Sequence, residues 1–469
     1  MAYNGQVLSK GLLLNAELEI QKLIDQKGDT ALANRFAKIQ HNRVLVDSLT
    51  QVPFSKRTMN ADSLSQLINK DERMLVESLK ELGDYTKNLS IDWKTIQKKL
   101  TDQDIAIEFA TFNDTTNQFV YIALVLKKGM KYPELVKLFE SKDFNKITKK
   151  EYYVTNKLYD IVWKPLEKYL QGVKNVYFAP SCDLHNIGIE YLPDANGNIF
   201  DEQYNVYRLS STRELAITHT VNAGNKAATY GGIHYSNDAD STNQRSNGPA
   251  FLIGTKLESE AVAKILKKAD YDVTVFSGTT ATEESLKNLS GNGYKILHIG
   301  THGFYYADNV LENSVLGYLV GGGQNAEDRA MSCSGLLFSG SKASFDPLSR
   351  QSIPEGMSDG ILTAKEISRL DFKGLDLVVL SACQSGLGDI TGEGVFGLQR
   401  GFKKAGAHTI IMSLWSVSDE ATQMLMTEFF KNLTLNNDKR AAFVKAQATV
   451  RKKYSNPSLW AAFVMIDGI

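Results

Sequence analysis

Cysteine and proline are scarce in this chain, and neither one sign of charge nor apolar residues accumulate along it. Three cysteines in 469 residues, Cys182, Cys333 and Cys383, are too few and of the wrong parity for a disulfide framework. A chain of this length can bury its own core without one, so a reducing compartment is expected. Only 9 prolines beside 35 glycines exclude collagen and proline-rich linkers. The 53 basic and 53 acidic side chains cancel, leaving no field to draw the chain to nucleic acid or to an anionic membrane. No apolar run reaches the roughly 18 residues that a bilayer-spanning helix needs. Met1 to Ile20 interrupt their apolar residues with Lys10, Glu17 and Glu19, unlike a secretory leader. The expectation is a cytoplasmic globular protein without nucleic-acid or membrane partners.

Periodicity divides the chain. Before residue 100, Leu64, Leu67, Ile68, Leu75, Leu79 and Leu82 recur at steps of three and four, the spacing of an apolar helix face. No stretch repeats at the roughly 34-residue period of a helix-pair array. From Ile105 the pattern changes: Ile105 to Phe112 and Phe119 to Leu126 are β-branched and aromatic runs around a turn-rich Asn113 to Asn117, a hairpin. A helix over Tyr152 to Leu170 and a strand over Asn175 to Ala179 follow. Beyond the polar Asn222 to Gly248, helix and strand patterns alternate. Lys295 to Ile299, Asp376 to Ser381 and Thr409 to Leu414 are short apolar runs suited to strands buried on both faces. This alternation predicts an α/β fold, a mostly parallel sheet flanked by helices. The expected regions are helical 1–100, a first α/β unit at 101–225 and a second at 226–469. Tyr306 to Ser358, with Gly321-Gly322-Gly323 and many Ser and Asn residues, is a connection long enough to be functional and offers little apolar surface to pin it, so a segment that is mobile or that covers the cleft before activation is expected.

Chemistry in such a sheet gathers beyond the carboxyl ends of its strands. His302 and Cys383 each finish one of these runs. His298 and His302, four residues apart on a strand, are separated by about 13 Å, so one metal ion cannot bridge them. No metal site and no cofactor are expected. His298 lies within its apolar run and reads as a core histidine, whereas His302 sits between Gly300 and Gly303, where the backbone can turn and project the ring. Free cysteine is usually a packed small hydrophobe, but a thiol at a strand end near an imidazole can be held as the nucleophilic thiolate. Gly254-Thr255-Lys256 and Gly340-Ser341-Lys342 lack the order of a phosphate-binding loop, and no serine has the flanking glycines of a hydrolase elbow.

Thr301-His302-Gly303, Leu380-Ser381-Ala382-Cys383-Gln384-Ser385-Gly386, Gly392-Glu393-Gly394 and Ser413-Leu414-Trp415-Ser416-Val417-Ser418-Asp419-Glu420 together resemble the CHAT peptidases, relatives of caspases and separase. The resemblance runs from about Ile105 to the Trp460-Ala461-Ala462-Phe463 terminus. It implies a caspase-like three-layer fold, in which an inactive caspase-like half (101–225) is followed by an active half (226–469). It further implies a cysteine endopeptidase with a Cys383 nucleophile, a His302 base and oxyanion donors from the backbone of Gly303 and Cys383. Protein substrates are implied, with control by an activating partner, as in prokaryotic defence or signalling effectors. Many relatives carry tetratricopeptide arrays ahead of the peptidase. Here only the helices before residue 100 fit a remnant, as in a compact or truncated member. Asp419, with Glu393 as second candidate and Trp415 beside it, is expected to bind substrate, Asp419 pairing with a basic P1 side chain as the matching acid does in separase. The competing reading of Asp419 is a Ser416-x-x-Asp419 cap on a helix from Glu420 to Leu433. The whole-chain alternatives are a catalytically silent peptidase-like sensor or scaffold and an acyl hydrolase or transferase using the same dyad.

Overall fold

The structure, a computed structural model, describes residues 2–10, 30–51, 63–64, 67–68, 70–71, 74, 91–113, 119–236, 249–305, 331–345, 358–382, 388–391 and 394–469. In chain order its strands are β1 (Asp104–Asn113), β2 (Phe119–Lys127), β3 (Glu134–Glu140), β4 (Asn175–Ala179), β5 (Asn205–Arg208), β6 (Lys226–Ile233), β7 (Asp272–Gly278) and β8 (Ile296–Thr301). There follow β9 (Gly303–Tyr305), β10 (Ser334–Leu337), β11 (Ile361–Thr363), β12 (Leu377–Ala382), β13 (Gly388–Thr391), β14 (Gly394–Gly397), β15 (Thr409–Ser413) and β16 (Phe463–Ile466).

Among the described residues, eleven strands form one sheet in the order β3-β2-β1-β4-β5-β16-β15-β12-β8-β6-β7. Only β3–β2, β2–β1 and β16–β15 are antiparallel, so the expected mostly parallel sheet flanked by helices is present. The two α/β units share this sheet, joined where β5 and β16 pair through Arg208 and Ile466. Every residue of β8, β12 and β15 is buried, which is why these runs carry no polar alternation.

Among the described residues, three apolar clusters pack on the sheet. Trp163 stacks on Phe200 (centroids 3.9 Å apart) and meets Phe109 and Phe178 edge-on in the first. Phe402, Phe429, Phe430 and Phe443 belong to the second, together with residues of β8, β12 and β15. The helix Ala2–Ser9 buries Tyr3 and Val7 against Ile96 and Leu100. The residue after it, Lys10, is buried with Glu108 of β1 at 2.7 Å.

Two expectations are corrected. The stretch Tyr152 to Leu170 is not one helix but Lys157–Val162, a 3-10 turn Lys164–Leu166 and Glu167–Leu170. Pro165 has no N–H for a continuing ladder and disfavours helical backbone at the residue before it. Of the connection read as mobile or as a cover, residues 306–330 and 346–357 lie outside the described residues. The part between them is pinned: β10 pairs with β9 and β11, and Met331, Cys333, Leu336 and Phe338 are buried.

Candidate active site

β8 and β12 are adjacent and parallel, in register from Ile296↔Leu377 to Thr301↔Ala382. His302 and Cys383 are the next residues in the two chains; Cys383 itself, like Glu393, lies outside the described residues. Both strand ends are tied down. Ser413 Oγ of β15 donates to the Ala382 carbonyl at 2.7 Å. Thr301 Oγ donates to the Leu337 carbonyl and accepts from the Tyr235 hydroxyl at 2.9 Å. The Tyr235 oxygen in turn accepts the His302 backbone N–H at 3.3 Å. Burial pushes the Tyr235 phenol up to about 12, so the hydroxyl stays protonated and this chain of donors keeps one direction.

The half-buried His302 ring lies 5.1 Å from the Tyr235 ring, and its Nε2 is 2.7 Å from the Ala250 carbonyl oxygen. A carbonyl only accepts, so Nε2 carries a proton, and Nδ1 is the nitrogen left for proton transfer. The position of Ala250 follows from local packing around the helix Ile253–Lys268. A side chain at Gly231 of β6 would lie 2.2 Å from the Thr255 carbonyl oxygen, so glycine there lets the first helical turn press onto the strand end. Thr255 Oγ locks the contact, accepting from Gly232 N–H at 3.0 Å and donating to the Leu252 carbonyl at 2.8 Å. Ala250 is held beside His302 as a result.

Gly303 begins β9. Leu337 N–H donates to the His302 carbonyl at 3.0 Å, which makes 302/337 a hydrogen-bonded pair and 303/336 the alternate, non-bonded one. The Gly303 N–H therefore points away from β10 and has no partner among the described residues. His298 behaves as a core histidine: wholly buried at the middle of β8, it has Nε2 2.9 Å from Glu258 and its ring edge-on to Phe430 at 5.6 Å.

Asp419 is exposed and opens the helix Asp419–Asn436. Its cap is Ser418, whose hydroxyl accepts from Ala421 N–H, so the expected Ser416–Asp419 capping pair is corrected by two residues. Freed from capping, the Asp419 side chain lies against Gly254, where a Cβ would meet Asp419 Cβ at 2.3 Å. Gly254 is in the first turn of the helix that follows Ala250, so Asp419 flanks the segment that holds His302. Trp415 is half-buried, with Nε1–H bonded to the Ser458 carbonyl at 2.9 Å and its ring 5.5 Å from Tyr153.

Sequence reasoning missed Tyr235 and Ala250. Tyr235 had a usable signal, a polar-tipped aromatic just past the end of a buried strand. Ala250 acts through its carbonyl, which no side-chain pattern reports. Among the described residues, no group of three or more His, Cys, Asp or Glu side chains is arranged to hold a metal ion, and no helix is long and apolar enough to cross a membrane.

Comparison with known proteins adds the following. Human tetratricopeptide repeat protein 28 is 35% identical over 108 residues, 23% of this chain, and the chain spans only 4% of that relative's length. Among solved structures, the complex of Porphyromonas gingivalis RgpB pro- and mature domains covers 70% of this chain and 70% of its own at 12% identity and a TM-score of 0.39. The Saccharomyces cerevisiae separase–securin complex covers 91% of this chain and 36% of its own at 12% identity and a TM-score of 0.44. Likenesses this distant say nothing of chemistry. The description "CHAT domain" matches residues 154–468, more than half the chain, and the protein belongs to the CHAT domain family.

Proposed function

We propose that this chain is a cysteine endopeptidase acting on protein substrates, with Cys383 as nucleophile and His302 as its proton-transfer partner. The observation that carries the reading is the register of Thr301 with Ala382, whose following residues are His302 and Cys383. In the proposed reaction His302 takes the proton of the Cys383 thiol and becomes an imidazolium, and the thiolate attacks the scissile carbonyl carbon, forming a C–S bond as the C=O π electrons move onto oxygen. The imidazolium then gives its proton to the leaving nitrogen as the C–N bond breaks. Neutral His302 next takes a proton from water, whose oxygen attacks the thioester and releases the acid and the thiol. The Ala250 carbonyl favours this cycle, because it orients the ring and stabilises the imidazolium. The Gly303 N–H, outside the ladder, suits an oxyanion donor, with the Cys383 N–H as the second.

Asp419 is proposed to select a basic P1 side chain. Its support is exposure without a capping task and its place beside the first turn of the helix that follows Ala250; a carboxylate there forms a charge-assisted pair with Arg or Lys. The segment 101–225 is then the inactive half of the peptidase, and an activating protein partner is part of the reading.

The test is a peptide library digested by wild type, Cys383→Ala and His302→Ala protein and read by mass spectrometry. Cuts after Arg or Lys that vanish in both variants support the reading. Cuts that persist in Cys383→Ala remove Cys383 as the nucleophile, and an inert wild type with each candidate activator favours the silent sensor.

A further inference from the structure

We propose that the outer edge of β7 is a docking surface for an extended acidic peptide strand. Among the described residues, β7 closes the sheet and pairs only with β6. Asp272 N–H donates to the Asn225 carbonyl, and the Gly278 carbonyl accepts from His234, so residues 272 and 278 face inward. Backbone groups alternate along a strand, and Val273, Val275 and Ser277 face outward. Ser277 is closed off by Thr280, which bonds both its N–H and its carbonyl. The N–H and carbonyl groups of Val273 and Val275 remain, with no partner among the described residues. Both are what an added strand uses.

The chemistry beside this edge selects the partner. A depression of about 450 Å³ is lined by Val275 and by one face of the helix Ile253–Lys268: Glu260, Ala263, Lys264, Lys267 and Lys268. None of the three lysines has an acidic partner among the described residues. The opposite sheet edge differs. There β3 is flanked by lysines already neutralised, Lys137 and Lys142 both pairing with Glu140 at 2.9 and 2.6 Å. Lysines commonly guard an edge strand against other chains. At β7 three lysines line the depression beside Val275 with one carboxylate, Glu260, among the lining residues and no ion pair among the described residues, and a strand carrying Glu or Asp satisfies the excess positive charge and the open main-chain groups at once. The surface lies about 16 Å along the helix from Ile253, away from His302.

The probe is a fluorescein-labelled Glu-Val-Glu-Val-Glu-Val-Glu peptide titrated with the full chain at low salt and read by anisotropy. The expected result is saturable binding, weakened at least tenfold by Lys264→Glu with Lys267→Glu, retained by Lys264→Arg with Lys267→Arg, and weakened at least tenfold by Val275→Pro. The matched Lys-Val peptide should not bind. All lysine substitutions are on an exposed helix face, and circular dichroism melts confirm folding for each variant. If Val275→Pro does not fold, Val275→N-methylvaline made by semisynthesis replaces it. No binding by wild type at millimolar peptide overturns the proposal. So does equal binding by all folded variants, or a loss confined to either the charge or the edge variant.

Discussion

Thr301 and Ala382 are register partners on adjacent parallel strands, each the last buried residue before the chain leaves the sheet. Two strand ends held level are what a two-residue catalytic pair requires, because neighbouring strands lie about 4.8 Å apart. The Tyr235–Thr301–Leu337 bonds fix one end and Ser413 the other. The consequences can be tested residue by residue.

Tyr235→Phe removes the hydroxyl that joins Thr301 to the His302 backbone. Stability should fall by about 1 kcal/mol, the usual worth of such a bond. Peptidase turnover should fall several-fold through loss of His302 positioning. Chemical denaturation and the pH–rate profile check this; an unchanged profile and rate would remove Tyr235 from the site.

The two histidines of β8 should separate cleanly. His298→Ala removes a wholly buried ring packed edge-on to Phe430 and 2.9 Å from Glu258, and a loss of more than about 2 kcal/mol is expected. His302→Ala, at a half-buried strand end, should cost less than about 1 kcal/mol while abolishing cleavage. Unfolding curves for both variants decide it.

Gly254→Ala drives a Cβ into the Asp419 side chain and should destabilise the protein by about 1–3 kcal/mol. In an Asp419→Gly background, which removes the Asp419 Cβ as well as its carboxyl, the same substitution should cost clearly less. A double-mutant cycle with additive losses would mean that the two residues do not meet.

Asp376, just before β12, supplies an acid-stability test. Burial alone would raise its carboxyl, but the His408 ring, with Nδ1 3.6 Å away, and the ion pair with Lys439 outweigh it and hold the group at about 2, below the ordinary 3.8. A depressed folded pKa stabilises above the unfolded value and is lost as pH falls through the folded one. Between about pH 4 and pH 2 the wild type should therefore lose about 1–2 kcal/mol from this group, allowing for its partial exposure. Asp376→Asn should lack that increment in urea unfolding measured against pH.

Much of this was legible in the sequence because buried strands announce themselves. β8, β12 and β15 are uninterrupted apolar runs, and each was located to within two residues. β10 was missed, since Ser334-Gly335-Leu336-Leu337 is a short run set among Gly and Ser, and its burial comes from partners distant in sequence. The cap of the helix Asp419–Asn436 was misplaced because Ser416 and Ser418 both precede acidic residues, and only backbone geometry chooses between them. At the candidate site, His302 could be singled out by its glycines. Its acceptor, the Ala250 carbonyl, is brought there by the glycine at 231, a contact between elements that no local pattern encodes.

Cys383 and His302 are proposed to act as a pair, and the rate of Cys383 alkylation by iodoacetamide reads that pairing. At pH 6 an unassisted thiol is almost wholly protonated and slow, whereas a thiolate held by an imidazolium is not. Peptide mass spectrometry can follow Cys383 with Cys182, a half-buried free thiol, as internal control. The account predicts that Cys383 reacts at least tenfold faster than Cys182 at pH 6, and that His302→Ala removes most of this advantage without unfolding the protein. Equal rates for the two thiols, or a Cys383 rate untouched by His302→Ala, would contradict it.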